Sequence, residues 1–283
     1  MTESAALPPT PSGNGRIDAH ASTGSFAWAL RSDPGTVREH NEDFGGAWHD
    51  ADDRGPFFVV ADGLGGHAAG EVASRLAVEA ALAEWSAPGQ PAAPQAAIRG
   101  AVRKANLAVF DAALEQAKRG MGTTIVAATL AGREAVVAHV GDSRAYLVHE
   151  DRCTQLTTDH SRVAEMMRMK LITPEQAATH PARSMLTRSL GGEPMVQVDV
   201  SRHPVEHGDM LVLCSDGVWD LVSRTELVDA AQLVPRAGAD RVVELALKRG
   251  APDNATVLLV AITSPEPVPA ASGRRSLFGR RRG

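Results

Sequence analysis

Apolar positions along the chain follow two periods. In Phe26–Leu30 the residues Phe26, Trp28 and Leu30 alternate with smaller neighbours. Phe57–Ala61, Thr124–Leu130, Ala135–Val140, Arg144–His149, Met195–Val200, Met210–Cys214 and Ala255–Ile262 are short apolar runs of strand length. Helical periods interrupt them in pairs. Residues 68–86 place Val78, Leu82 and Trp85 on one face, and 94–119 place Ile98, Val102, Ala105 and Val109 on one face before Lys118, Arg119 and Gly120. Two more helices are predicted at about 224–234 and 239–249. Ser223 and Glu226 form a capping box for the first, and Gly250 and Pro252 end the second. A parallel α/β sheet requires strict strand–helix alternation, which this order lacks. The pattern predicts an α+β fold: a four-layer α-β-β-α sandwich of two packed antiparallel sheets with helices outside.

One polar excursion, residues 160–190, interrupts the strands. Thr173, Pro174 and Gln176 supply cap, first-turn proline and capping-box partner for a short helix. Arg162, Arg168, Lys170, Arg183 and Arg188 lie in this segment, and a substrate-facing flap is expected. Residues 1–24 and 264–283, rich in Pro, Ser and Gly, read as disordered ends around one domain at 25–263.

Composition narrows the class. The chain has 283 residues, 43% of them apolar, enough for a sizeable core, yet no run approaches the roughly 20 apolar residues of a membrane span. Without a signal pattern at the N-terminus, a cytoplasmic protein is expected. The net charge of −5 conceals five arginines near the C-terminus: Arg274, Arg275, Arg280, Arg281 and Arg282. The remainder is acidic, so a nucleic-acid-binding surface is not expected. Cys153 and Cys214 offer neither a disulfide framework nor a thiolate metal site.

Four aspartates mark strand ends. Asp62 follows the run ending at Ala61, Asp142 follows Val140-Gly141, Asp216 follows Cys214-Ser215, and Asp253 precedes the strand starting at Ala255. One Asp-Gly after a strand is ordinarily a turn. Four carboxylates converging on one sheet edge would repel one another. The chain has only four lysines, Lys104, Lys118, Lys170 and Lys248, none beside these aspartates in sequence. Divalent cations are the natural remedy, and all-oxygen ligands favour Mg²⁺ or Mn²⁺ over Zn²⁺. The glycines let the backbone approach such a site. Arg38-Glu39-His40-Asn41-Glu42-Asp43 adds carboxylates and an arginine able to grip a phosphate bidentately.

Rival chemistries fail on spacing. Six positions after Cys153 and Cys214 stand Asp159 and Asp220, where a cysteine-nucleophile phosphatase needs arginine. No Gly-Lys dipeptide supports a P-loop. Asp50-Ala51-Asp52-Asp53-Arg54 lacks the residue that an aspartyl-phosphate motif requires next, and Ala61 stands where a calcium loop needs Glu. His203-Pro204-Val205-Glu206-His207 has zinc-protease letters, but its proline and the following Gly208-Asp209 make it a turn.

The chain resembles the type-2C, metal-dependent protein phosphatase family in its bacterial form. Eight stretches appear in the family's order: Arg38–Asp43, Ala61–His67, Gly122–Thr124, Val140–Arg144, Thr158–Ser161, Leu186–Gly191, Cys214–Gly217 and Asp253–Thr256. The resemblance implies an α-β-β-α sandwich with a two-metal site on one edge. Asp62 would bridge both Mn²⁺ or Mg²⁺ ions. The Gly63 carbonyl would bind one ion, and Asp216 and Asp253 the other. Glu42 would act through water. Asp142 with Asp216 would hold a third, weaker ion. Asp43, Asn254 and His67 would support these ligands, and residues 160–190 would be the flap. The implied reaction is direct attack of activated water on phosphoserine or phosphothreonine, with Arg38 on the phosphoryl oxygens. Leu64 departs from the family: eukaryotic members carry histidine there and bacterial ones usually methionine, so no general acid stands at that position. The implied role is reversal of bacterial Ser/Thr kinase signalling on phosphoprotein substrates by a monomer alongside a cognate kinase. The alternatives are a partner-switching phosphatase for one regulator and a catalytically silent phosphoprotein-binding relative.

Overall fold

The computed structural model describes residues 5–7, 12, 15–49, 55–65, 68–89, 91, 93–115 and 120–264. In chain order the strands are β1 (Ala5–Leu7), β2 (Ile17–Ser22), β3 (Phe26–Asp33), β4 (Asp43–His49), β5 (Phe57–Leu64), β6 (Gly122–Thr123), β7 (Ile125–Ala131), β8 (Glu134–Val140), β9 (Arg144–His149), β10 (Arg152–Gln155), β11 (Asp199–Pro204), β12 (Met210–Cys214) and β13 (Ala255–Ile262). The helices are α1 (Ala68–Ser86), α2 (Pro94–Ala113), α3 (Arg162–Arg168), α4 (Pro174–Ala178), α5 (Asp216–Trp219), α6 (Arg224–Ala231) and α7 (Pro235–Lys248).

Two antiparallel sheets result. One runs β1-β4-β5-β7-β8-β11, with β6 paired to β5, and the other runs β10-β9-β12-β13-β3-β2. Helices α1 and α2 cover the first sheet, while α6 and α7 cover the second. The period of two explains how one strand serves two layers. Leu211 and Leu213 of β12, with Leu258 and Val260 of β13, join the core between the sheets. Val212, Cys214, Val257 and Leu259 point the other way, into the core shared with Val242, Val243 and Ala246 of α7. Strands buried on both faces read as continuous apolar runs, which is why these two were legible. Phe58 meets Phe26 edge-on at 5.7 Å across the sheets. Gly45 of β4 lies so close to Leu30 of β3 that a Cβ there would come within 2.9 Å of Leu30 Cδ1.

Several boundaries differ from expectation. Ile17–Ser22 lies inside the segment read as disordered, yet pairs with β3 along its whole length. Its small alternating side chains gave little signal, and only Ile17 is fully buried. The strand expected at 195–200 is β11, Asp199–Pro204. Its partner β8 ends at Val140, one residue beyond the Asp199–His139 pair, so residues before Asp199 have no ladder to join. The second helix stops at Ala113 and the last begins at Pro235. The capping boxes at Thr173–Gln176 and Ser223–Glu226 are present. The terminal arginines and Asp50–Arg54 lie outside the described residues.

Candidate metal centre

The apolar run of β5, Phe57 to Ala61, is inaccessible to solvent and delivers Asp62 to the sheet edge. The backbone of Asp62 is fixed from the neighbouring loop. Its N–H donates to Thr124 Oγ1 at 3.1 Å, and its carbonyl accepts from Thr123 Oγ1 and Thr124 N, each at 2.8 Å. Asp43 stands directly opposite on β4. Its carboxylate accepts a 2.6 Å hydrogen bond from Ser215 Oγ, which ties the first sheet to the end of β12 in the second. Asp216 then opens α5, and Asp253 arrives just ahead of β13.

Backbone space is as specific as the side chains. A Cβ on Gly63 would fall 2.1 Å from the Gly70 carbonyl of α1, and one on Gly70 would fall 2.7 Å from Glu42 Oε2. Only glycine at both positions lets β5, α1 and Glu42 close together. Gly63 N donates to the Glu42 carbonyl at 3.0 Å, and Glu42 N donates to Asn254 Oδ1 at 2.8 Å. Asn254 Nδ2 donates to the carbonyls of Pro34 and His40, so one buried amide gathers the whole 34–42 loop. Arg38 from that loop bonds Asp253 Oδ2 at 2.8 Å.

The electrostatics are those of crowded acids. Burial, then the Ser215 and Thr256 hydrogen bonds against it and the charges of Asp216 and Asp253, leave the Asp43 carboxyl raised to about 8. Burial and the surrounding Asp43, Asp216, Asp142 and Asp253 push Asp62 well above the ordinary carboxylate range. Asp142 rises to about 7 through burial and then Asp216, and Asp216 to about 6 through burial and then Asp253. The protein therefore supplies an acidic oxygen cage whose charge its own cations do not balance, which is the donor set suited to Mn²⁺ or Mg²⁺.

Of the residues singled out from sequence, Arg38, Glu42, Asp43, Asp62, Gly63, Asp142, Asp216, Asp253 and Asn254 come together at this edge. His67 lies outside the described residues. Sequence reasoning overlooked Trp219, whose Nε1 donates to the Asp142 carbonyl at 3.0 Å, and the Arg144 guanidinium, 3.5 Å from the centre of the Trp219 ring. Arg144 is itself held by Asp159, with a shortest contact of 2.7 Å. No local motif announces an indole placed two residues beyond the Asp216-Gly217 pair.

The flap is a helical excursion as expected, but its arginines are not all free for substrate. Arg188 turns inward to Asp199 at 2.8 Å, and Arg183 lies 3.6 Å from Asp220. Met169, Leu171 and Met185 are exposed instead. An open groove of about 350 Å³ is lined by Leu64 and, among others, Phe110, Leu114, Met121 and Gly191. Among the described residues its walls carry no ionisable group. Among the described residues, the side chains whose ligand atoms crowd within 4.8 Å of one another are His139, His160 and Asp199, and no trio of edge aspartates is that tight.

The protein phosphatase 2C family model matches residues 36–250. A serine/threonine phosphatase stp of Listeria welshimeri is 40% identical over 237 residues, covering 82% of this chain and 94% of that protein. The serine/threonine protein phosphatase PstP of Mycobacterium tuberculosis is 40% identical over 239 residues, covering 83% of this chain and 45% of that protein. The solved structure of the PstP catalytic domain in complex with two manganese ions superposes with a TM-score of 0.74 at 36% identity. It covers 84% of this chain and 99% of that one.

Proposed function

The chain belongs to the protein phosphatase 2C family and is a metal-dependent protein serine/threonine phosphatase, and from that premise we propose how its acidic edge performs the reaction. The observation that carries the reading is the set of buried aspartates, Asp43, Asp62, Asp142 and Asp216, each driven above its ordinary pKa by burial and by its neighbours. Asp62, the Gly63 carbonyl, Asp216 and Asp253 would hold two Mn²⁺ or Mg²⁺ ions. Asp142 with Asp216 would hold a third, weaker one, and Glu42 would act through water. When bound, these cations neutralise the carboxylates and lower the pKa of water towards neutrality.

The chain's own residues do the rest. Arg38, half-exposed at the rim, exchanges its contact with Asp253 for two phosphoryl oxygens of the substrate. Asp43 backs the site with its carboxylate fixed by Ser215, and Asn254 keeps the 34–42 loop, and therefore Arg38, in register. Neither cysteine suits a phosphoenzyme: Cys214 lies in the core, its thiol pushed up by burial, and Cys153 is raised by burial too. The nucleophile in this reading is water, attacking phosphorus in line. Leu64 cannot protonate the leaving alkoxide, so that proton comes from solvent or from His67.

The physiological substrates are phosphoproteins of a Ser/Thr kinase pathway, acted on in the cytoplasm by a monomer with its cognate kinase. No helix among the described residues is long and apolar enough to cross a membrane. Hydrolysis of a phosphothreonine peptide should be abolished by EDTA and restored by Mn²⁺. Full turnover after exhaustive metal removal would overturn the mechanism. Comparison of the phosphoproteomes of a deletion strain and its parent would identify the substrates, and a single hyperphosphorylated protein would favour the dedicated partner-switching role.

A further inference from the structure

His139, His160 and Asp199 have the composition of a metal site, but its centre is occupied. Arg188 Nη1 lies 3.0 Å from His160 Nε2 and 2.8 Å from Asp199 Oδ1, and it also donates to the Gln197 carbonyl at 3.1 Å. His139 Nε2 is engaged with the Thr158 carbonyl at 2.8 Å. A guanidinium stands where a cation would, so the cluster is a fastening rather than a ligand set.

What it fastens is informative. The His160 N–H donates to the Gly141 carbonyl at 2.9 Å, while the His160 ring accepts the Gly141 N–H at Nδ1 at 3.0 Å. Both polar groups of Gly141 are thus held by one residue. Gly141 has φ +107°, and a Cβ there would lie 2.6 Å from Thr124 Cβ, so it cannot be replaced or relaxed easily. It directly precedes Asp142, whose own carbonyl is held by Trp219. Thr124 in turn bonds Ser143 Oγ at 2.6 Å and holds the backbone of Asp62.

The opposite side of His160 faces the flap. With Nδ1 used as an acceptor, the hydrogen of the neutral ring sits on Nε2 and is directed to Asp199 Oδ2 at 3.3 Å; Nε2 therefore accepts nothing from Arg188, whose Nη1 bonds Asp199 Oδ1 instead. The ring is neutral: burial first, then His139 and Arg188, hold its pKa down at about 4. The His160 carbonyl accepts from Thr187 N at 2.8 Å, and Arg162 N donates to the Met185 carbonyl at 2.8 Å, so the two legs of the flap are paired at this residue. The ring lies flat on His139, centroids 4.6 Å apart, which fixes its plane.

We propose that His160 is a positioning residue: its near ring nitrogen sets the Gly141–Asp142 backbone at the carboxylate edge, and its far nitrogen, through Asp199 and Arg188, secures the returning leg of the flap. The placement of the weakest metal ligand and the seating of the flap are then joined through one imidazole. The functional half of this inference rests on the phosphatase reading of the edge.

Two substitutions separate the two contacts. In His160→Asn the amide oxygen sits where Nδ1 sat, keeping the acceptor for Gly141 and losing the far contact. In His160→Gln the amide reaches the Nε2 position and leaves Gly141 without its acceptor. Hydrogen exchange on the metal-free full-length chain should show His160→Gln exchanging about five- to tenfold faster over residues 140–143, and His160→Asn over 185–189, each parent-like in the other segment, as expected for one lost hydrogen bond. Calorimetric titration with Mn²⁺ should show the weakest site loosened about fivefold in His160→Gln and little changed in His160→Asn. With a phosphopeptide, His160→Asn should raise KM more than it lowers kcat.

Equal loosening of both segments in both variants, or in neither, would make His160 a packing residue and overturn the proposal. So would unchanged Mn²⁺ affinity in His160→Gln. A parent protein without phosphatase activity would instead sink the reading of the site, while the exchange pattern would still decide the role of His160.

Discussion

Removing the metal should make the protein's stability fall as pH rises, opposite to the usual behaviour of native carboxylates. In the metal-free protein Asp216, Asp142 and Asp43 lie at about 6, 7 and 8, against about 3.9 in an unfolded chain. Between about pH 5.5 and 8 the folded state therefore holds protons that the unfolded state has already lost. Stability declines with pH wherever the native state binds more protons. The cost is absent below the unfolded pKa and grows until each folded pKa is passed. At about 1.36 kcal/mol per unit, the three groups together remove on the order of 5 kcal/mol across this window. For a domain of this size that corresponds to a fall in Tm on the order of 10–20 °C. Calorimetric melts in EDTA at pH 5.5, 6.5, 7.5 and 8 would measure it. Mn²⁺ should lift Tm strongly at pH 8 and weakly at pH 5.5, where protons compete for the ligands. Asp142→Asn should make the metal-free decline shallower, because one of the raised carboxyl titrations is gone. A metal-free Tm that is flat or rises over this range would refute the picture of crowded acids.

Asp216→Asn should keep the shape of the site but lose a ligand, lowering kcat on a phosphothreonine peptide by on the order of 10²-fold or more. Arg38→Ala should weaken phosphate binding by about 1.5–3 kcal/mol. Because Arg38 also holds Asp253, its loss should leave Mn²⁺ affinity equal or higher, and calorimetry showing metal binding abolished would make the arginine structural. Gly63→Ala should be far worse than a typical surface change, since its Cβ would meet the Gly70 carbonyl at 2.1 Å, and circular dichroism with Mn²⁺ titration would register a displaced edge. Neutralising Arg162, Arg168 and Arg183 together should leave aryl phosphate hydrolysis within about threefold and reduce kcat/KM on an acidic phosphoprotein more, with the deficit shrinking in salt. Equal losses on both substrates would place the flap in the catalytic scaffold.

The sequence made legible what depends on local pattern. The two-sided strands β12 and β13 appear as unbroken apolar runs, and the aspartates at their ends stood out because each follows or precedes such a run. The capping residues Thr173 and Ser223 mark helix starts by chemistry that acts over three residues. What escaped notice depends on distant partners. Strand β4 carries Gly45 and Gly46, which weaken any strand signal, and the reason for Gly45 is Leu30, a residue on the other sheet. Trp219 looked like one more apolar position until the fold set its indole against the Asp142 carbonyl. Arg188 read as a substrate contact because its anchor, Asp199, comes eleven residues later on a different strand.

The acidic edge draws Asp62 from one sheet and Asp216 and Asp253 from the other, and the sheets touch where Gly45 meets Leu30. The spacing between the carboxylates is therefore also the spacing between the two layers. A methyl group added at Gly45, buried and remote from any substrate, would act as a shim, prising the layers apart by a few tenths of an ångström and stretching the ligand cage from behind. Drift in the hydrophobic interior between the sheets then becomes a way for evolution to retune metal affinity and turnover, with every residue at the catalytic edge left as it is.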